Sequence, residues 1–423
     1  MAGIRVAGSL RVPGDKSISH RALIFGALAT GPAHVRGLLL SADVKATAAS
    51  LRAMGWPIPP LAREMVIVGE GCHPRRPVAE AALPCANSGT TARLLSGVAA
   101  AQRHAAVLDG DDSLRARPMR RVSEPLEAMG AAFTWLADHG RVPMRIQGGD
   151  LRDLAWPMTV ASAQVKSAIL LAGVCAGVRV RVDEPIETRD HTERFLRAAG
   201  VPLETSAHTI SLAPVERLDP VNVDVPGDPS SAAFFAALAA GAAQGHVVLE
   251  RVLLNPRRTG FLRVLERMGA TIGIERDDES AGDVVGDIAV TASPLRATTI
   301  GGDEIPSLID EIPMLAALAA LADGETVISG AEELRVKESD RIATTVANLR
   351  ACGVDADERP DGLVVRGPAR IRDAAIATRH DHRIAMAFGV LGALTQRDLR
   401  LDDPACVDVS FPDFWHELAR LVG

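Results

Sequence analysis

The chain of 423 residues contains no tyrosine, and aromatic residues make up only 3% of it. Its cores must therefore be filled by Ala, Val, Leu and Ile, which suits helices packed closely through small side chains, as in Ala236 to Ala243 and Leu315 to Ala322. Stacking platforms for bases are scarce, and a net charge of −7 leaves no overall basic surface for a phosphate backbone. No apolar run is long or uninterrupted enough to span a bilayer, and the N-terminus lacks a basic segment followed by an apolar stretch, the pattern of a secretory signal. The five cysteines, Cys72, Cys85, Cys175, Cys352 and Cys406, form no C-x-x-C pair, disulfide framework or zinc signature. These absences point to a cytoplasmic protein that binds neither nucleic acid nor membrane.

What the chain does have is a dense cluster near its start. Val12 to Arg21, V-P-G-D-K-S-I-S-H-R, sets a lysine, two hydroxyls, a histidine and an arginine behind a Pro-Gly turn. The glycine lets backbone approach a ligand, Ser17 and Ser19 are placed to cap the helix that Ala22 to Ala29 begins, and a helix N-terminus favours an anion. The G-x-x-x-x-G-K-[ST] spacing of a Walker A loop is missing. Taken alone, the segment reads as well as a capped surface helix with solvated charges. The same opening recurs at Val225 to Phe235, V-P-G-D-P-S-S-A-A-F-F, which implies two related halves. A finer period lies in L-[RE]-x-x-G helix endings at Gly55, Gly130, Gly200, Gly269 and Gly353, spaced by 69 to 84 residues. Each glycine suits a left-handed helix end, with β-rich segments such as Ala270 to Ile274 and Leu363 to Arg366 following. Six α/β units are expected, three per half, the last without the ending, each burying its apolar face against its siblings.

Positive charge gathers near the helix starts: Arg115, Arg117, Arg120 and Arg121; Arg189 and His191; Arg257 and Arg258; Lys337 and Arg341; His380, His382 and Arg383. Cations there oppose the helix dipole, so an anion pocket is the better explanation than solvated helix ends. Asn87 to Leu95, N-S-G-T-T-A-R-L-L, places Gly89 and two threonines at a helix start, a backbone-donor surface for an anion. Ser162 to Leu170, S-A-Q-V-K-S-A-I-L, offers a hydroxyl and an amide for a polyol or phosphate, with a plain helix cap as the simpler reading. Asp310 and Glu311, inside an apolar run, are either a general-base pair or a cap before Pro313. In R-V-K-E-S-D-R-I, Arg335 to Ile342, a helix would put Lys337 and Arg341 on one face, and Glu338 with Ile342.

Seven segments, G-D-K-S-I-S-H-R, N-S-G-T-T-A-R-L, R-P-M, S-A-Q-V-K-S-A, D-E-I-P, R-V-K-E-S-D-R-I and D-H-R-I-A-M-A, together resemble the 5-enolpyruvylshikimate-3-phosphate synthase family, in family order and from end to end of the chain. The resemblance implies an α/β fold, the two-domain enolpyruvyl transferase fold or inside-out α/β barrel, each domain built of three βαβαββ repeats. It implies a discontinuous domain of residues 1–13 plus 228–423 around an inserted domain of 14–227. The implied reaction moves the enolpyruvyl group of phosphoenolpyruvate to the 5-hydroxyl of shikimate 3-phosphate and releases phosphate, in the shikimate pathway to chorismate and aromatic amino acids. It passes through a tetrahedral addition–elimination intermediate and needs no metal or organic cofactor.

By the same resemblance, shikimate 3-phosphate would be held by Lys16, Ser17, Arg21, Ser162, Ala163, Gln164, Arg189, Asp310 and Lys337. Phosphoenolpyruvate would fall to Lys16, Gly89, Arg117, Gln164, Arg341 and Arg383. Asp310 would accept the hydroxyl proton, Glu338 and Lys16 would deliver or relay the other, and His382 would support them. Two like-charged substrates repel one another, and orienting them can contribute about 7–11 kcal/mol to barrier reduction. With the anion-binding groups divided between two domains, closure on shikimate 3-phosphate is expected; identical scattering profiles with and without it would overturn this. A monomer acting on these small molecules, with glyphosate as a candidate inhibitor, completes the implied picture.

The chain departs from the family pattern in places. Val409 in V-S-F-P stands where some members have lysine, Leu94 replaces a proline, and Gly89 is not the alanine linked to strong glyphosate tolerance in the divergent bacterial branch. A sister transferase acting on a UDP-linked amino sugar usually relies on a cysteine in the loop before R-P, and Asp109 to Arg117 has none. A noncatalytic anion-binding protein would need neither Asp310 nor Glu338.

Overall fold

The structure, a computed structural model, describes residues 4–76 and 78–422. The chain forms two compact units, one made of the residues up to Pro13, Pro226–Asp278 and those from Val284 onward, the other of Gly14–Val225 with Glu279–Asp283. Backbone hydrogen bonds show why the second crossing falls two residues before Asp228. Val225 N still donates to Arg36 O, whereas Gly227 N donates to Arg251 O and Asp228 N to Pro13 O. Residues 279–283, at a hairpin tip, belong with the second unit, where Asp224 N donates to Ser280 Oγ at 3.0 Å.

Among the described residues each unit contains three sheets. The sheet of Glu80–Pro84, Ala105–Asp109, Met144–Gln147 and Ala132–Trp135 shows the plan. Its first two strands are parallel and joined by the helix Gly89–Ala100, and the helix Arg120–Met129 then leads into an antiparallel hairpin. A parallel pair needs such a crossover, so a helix packs on every sheet. The sheet of Leu154–Pro157, Val180–Asp183, Thr209–Leu212 and Leu203–Thr205 repeats the order, as does that of Thr299–Ile300, Gly324–Ile328, Gly362–Gly367 and Asp355–Arg359. At the crossings, Arg5–Leu10 pairs in parallel with Gln244–Leu253, and Val223–Asp224 with Thr30–Arg36. The last sheet, Ala374–Ile376 with Leu399–Leu401, has only its parallel pair.

All five glycines of the L-[RE]-x-x-G endings have positive φ, between 79° and 119°, the left-handed turn that closes a helix without a Cβ clash. The small side chains matter where helices touch. A Cβ on Gly97 would lie 2.0 Å from the carbonyl oxygen of Ala168, so the helices Gly89–Ala100 and Ala163–Ala176 meet backbone to backbone. In the first unit the helix Pro229–Gly241 is almost wholly buried, and Phe234 and Phe235 stack with Phe411 and Phe414 in its core.

Two local readings are corrected. The first helix runs Lys16–Leu28 and its cap is Asp15, whose Oδ1 accepts from Ile18 N at 2.7 Å, while Ser19 Oγ accepts from Leu39 N instead. Residues 335–342 do not form one helix. A 3-10 turn, Glu332–Val336, ends at an extended Lys337, and Asp340 then caps a new helix, Arg341–Ala351, by accepting from Ala343 N. Among the described residues no helix is long and apolar enough to cross a membrane.

Candidate active site

In the second unit the sequence motifs converge at helix N-termini. Lys16 Nζ lies 3.2 Å from Asp43 Oδ2. Arg21, one turn on and buried, donates from NH1 to the carbonyl of Ser17, from Nε to Thr192 Oγ1 at 2.8 Å and from NH2 to Ser167 Oγ at 2.9 Å. Ser88 caps the helix Gly89–Ala100 through Thr91 N. Gly89 is flanked by two guanidiniums, because a Cβ there would stand 3.2 Å from Arg117 NH1 and 3.3 Å from Arg93 NH1. Arg117 donates to Asn87 Oδ1, and Arg93 to Gln164 Oε1. Gln164 Nε2 in turn donates to Thr90 Oγ1 at 3.0 Å. Ser162 does cap the helix Ala163–Ala176 that Ala163 opens, through Val165 N. Arg189 is half-buried in the loop before the helix His191–Ala198.

In the first unit the centre is Asp310. Its Oδ1 lies 3.1 Å from Arg341 NH1, 3.7 Å from Lys337 Nζ and 3.9 Å from Arg383 Nε. Lys337 and Arg341 thus meet at one carboxylate although no helix face joins them. Asp310 and Glu311 sit in a 3-10 turn, and Glu311 occupies the N-cap position of the helix Ile312–Ala319 without making a side-chain cap bond. Arg341 also reaches Glu338 Oε2 at 2.6 Å and Asp381 Oδ2 at 2.8 Å. Burial alone would lower the Arg341 pKa, but the carboxylates of Asp381, Glu338 and Asp310 more than offset it, so the guanidinium stays charged. Asp381 caps the helix His382–Thr395 by accepting from Arg383 N, which places buried His382 and Arg383 in its first turn. Arg383 NH1 donates to the carbonyl of Asp310 at 3.3 Å and lies 3.8 Å from Glu311 Oε1. Val409 ends the 3-10 turn Pro404–Val409 and offers no cation.

Sequence reasoning missed Arg93, Asp43 and Asp381. Arg93 lies four residues after Gly89, on the same helix face, and that spacing was the available signal. Asp381, the first residue of D-H-R-I-A, could have been found as an N-cap. One group among the described residues has metal-ligand types, Asp190, His191 and Asp283. Arg194 Nε already stands 3.0 Å from Asp190 and 3.2 Å from Asp283 and offsets part of their charge without an ion.

A family model described as EPSP synthase (3-phosphoshikimate 1-carboxyvinyltransferase) matches residues 1–418. A 3-phosphoshikimate 1-carboxyvinyltransferase of Chloroflexus aggregans is 46% identical over 422 residues, covering 99% of this chain and 97% of that one. Its counterpart in Aquifex aeolicus is 44% identical over 423 residues, covering 99% and 98%. A solved EPSP synthase from Acinetobacter baumannii is 42% identical with a TM-score of 0.86, covering 100% of this chain and 98% of that one. The enolpyruvyl transferase NikO from Streptomyces tendae, 18% identical with a TM-score of 0.74 over 99% of this chain and 96% of its own, shares the fold. Both units therefore have the enolpyruvyl transferase architecture, and with the family model matching nearly its whole length, this chain belongs to the EPSP synthase family.

Proposed function

We propose that the two sets of groups serve one reaction, transfer of the enolpyruvyl group of phosphoenolpyruvate to the 5-hydroxyl of shikimate 3-phosphate with release of phosphate. Lys16, Ser17, Arg21, Ser162, Ala163, Gln164, Arg189 and Lys337 hold shikimate 3-phosphate. Gly89, Arg117, Gln164, Arg341, Arg383 and Lys16 hold phosphoenolpyruvate. In the addition step the 5-oxygen bonds to C2 of phosphoenolpyruvate while Asp310 accepts the hydroxyl proton, and Glu338 or Lys16 delivers a proton to the methylene carbon, with His382 in support. In the elimination step the C2–O bond to phosphate breaks, and the methyl carbon gives a proton back as the double bond reforms.

The observation that supports this reading most is Asp310 Oδ1 within 4 Å of Lys337, Arg341 and Arg383: one carboxylate stands among cations suited to anionic substrates. Phosphate release from phosphoenolpyruvate, with and without shikimate 3-phosphate, tests it, using Asp310→Asn as control. Release that requires shikimate 3-phosphate and collapses in the variant supports it. Binding of both ligands without release defeats it, and release only with a UDP-amino sugar assigns the sister reaction.

The enzyme works as a monomer in the cytoplasm; its five cysteines, all free thiols, agree with a reducing compartment. Sedimentation as a species of 44.5 kDa checks the monomer, and a heavier species refutes it.

A further inference from the structure

The helix Ala163–Ala176 carries in its first turn a lysine to which the reaction assigns no role. Lys166 is fully buried, with Nζ 3.0 Å from Glu184 Oε1 and 2.6 Å from Glu193 Oε1, and both carboxylates are buried as completely. One ammonium between two carboxylates leaves excess negative charge in the interior, and Glu193 Oε2 has no hydrogen-bond partner among the described residues. Charges out of water are costly, and an apolar cluster of similar volume is often as stable or more so, so stability is a poor reason for this one.

Its position supplies a better reason. Glu184 opens the loop that carries Arg189, and Glu193 lies just past its end, in the first turn of the helix His191–Ala198. Glu184 Oε2 also accepts from Thr188 N at 3.2 Å and from Thr188 Oγ1 at 2.6 Å, which closes the loop on itself. Adjacent residues on the two helices, Ser167 after Lys166 and Thr192 before Glu193, repeat the join: their hydroxyls lie 2.7 Å apart, and both accept from Arg21. Gln164 is held separately, by Arg93 and Thr90.

We propose that Lys166 is a positioning residue for shikimate 3-phosphate: it clamps both ends of segment 184–193 to the helix Ala163–Ala176 and so fixes Arg189 and Arg21 against the helix start that bears Ser162. The inference rests on reading Arg21, Ser162 and Arg189 as shikimate 3-phosphate contacts.

Glu193→Gln, nearly isosteric, releases one end of the clamp, and Lys166→Met releases both. Steady-state kinetics with each substrate varied, together with melting temperatures, read the result. The KM for shikimate 3-phosphate rises roughly ten- to hundredfold in both variants, as misplaced contacts do, while kcat and the KM for phosphoenolpyruvate stay near those of the unmodified enzyme. If Lys166→Met does not fold, Glu193→Gln decides alone. An unchanged shikimate 3-phosphate KM in a folded variant overturns the proposal. So does a common fall of kcat, both affinities and melting temperature, which would make the cluster a plain stability element. Arg189→Ala separates the two layers: if it leaves that KM unchanged, the contact assignment fails; if it raises the KM and Glu193→Gln does not, the clamp fails.

Discussion

Arg341 and Asp381 form a two-pronged ion pair, Nε to Oδ2 at 2.8 Å and NH2 to Oδ1 at 3.2 Å, with both side chains out of solvent. Asp381 is thus the fixed end from which the guanidinium is aimed at Asp310 and Glu338. Burial alone would raise the Asp381 pKa, but the Arg341 charge, helped by His382, holds it below the ordinary carboxylate value despite nearby Glu338. A lowered folded value means that this contribution to stability is complete above the ordinary value and is lost only as pH falls through the folded one, so the pair persists at neutral pH. Asp381→Asn keeps a capping side chain and removes the charge. The expected result is a loss of at most about 3–5 kcal/mol in stability, moderated by Glu338 and Asp310, with kcat/KM about 100-fold lower for the folded variant. Urea melts and kinetics below the transition check it; unchanged kcat/KM would contradict it.

Gly89 sits where two guanidiniums converge without strain in its own backbone. A methyl group there would press on Arg117 and Arg93, at 3.2 and 3.3 Å, and push them back a few tenths of an ångström. Gly89→Ala is expected to raise the KM for phosphoenolpyruvate about tenfold, the usual scale for one added methyl group in a fitted pocket. The KM for shikimate 3-phosphate should hardly move. Saturation curves for each substrate measure this, and equal changes for both substrates would refute it.

His20 governs an acid-side loss of stability. Its ring is fully buried, with Nδ1 2.7 Å from Thr47 Oγ1, and Nε2 has no hydrogen-bond partner among the described residues. Burial first, then the charges of Lys16 and Arg21, hold its pKa well below 6.5. The unfolded chain therefore takes up a proton that the folded chain refuses. Stability is full above the ordinary value and declines as pH falls below it, by about 1.4 kcal/mol per unit. Urea midpoints between about pH 6.5 and 5 should fall more steeply for the unmodified protein than for His20→Gln, and parallel slopes would rule this out.

Gly97→Ala tests the close helix contact. With a Cβ only 2.0 Å from Ala168 O, the two helices must separate, at a cost of about 1–3 kcal/mol or more. A lower urea midpoint is expected, and an unchanged one would show that the contact yields freely.

The parts of the site that could be read in sequence are those whose chemistry is local. Glycine, hydroxyls and cations at a helix start announce Gly89 and Ser162, and D-E inside an apolar run announces Asp310. The helix-ending glycines carried the repeat, because a left-handed residue has few alternatives. What stayed hidden depends on distant partners: Arg21 meets Thr192 171 positions away, and nothing near either residue says so. Arg93 was absorbed into an apolar helix pattern, and Asp381 was overlooked beside the His and Arg it orients. The charges of residues 335–342 fitted a helical spacing, but Asp340, a better cap than interior residue, broke that helix and left Lys337 and Arg341 to meet through Asp310.

The left-handed glycines bear on history as well as geometry. At Gly269 a side chain would meet the carbonyl oxygen of Pro294 at 2.7 Å in addition to the strain of its φ of 111°. Each of these five helix ends thus favours its own glycine, whatever its neighbours have become. The audible rhythm of the chain is then no fading echo of duplicated ancestors: it is re-imposed in every generation, and drift should erase the rest of each module long before it erases the beat.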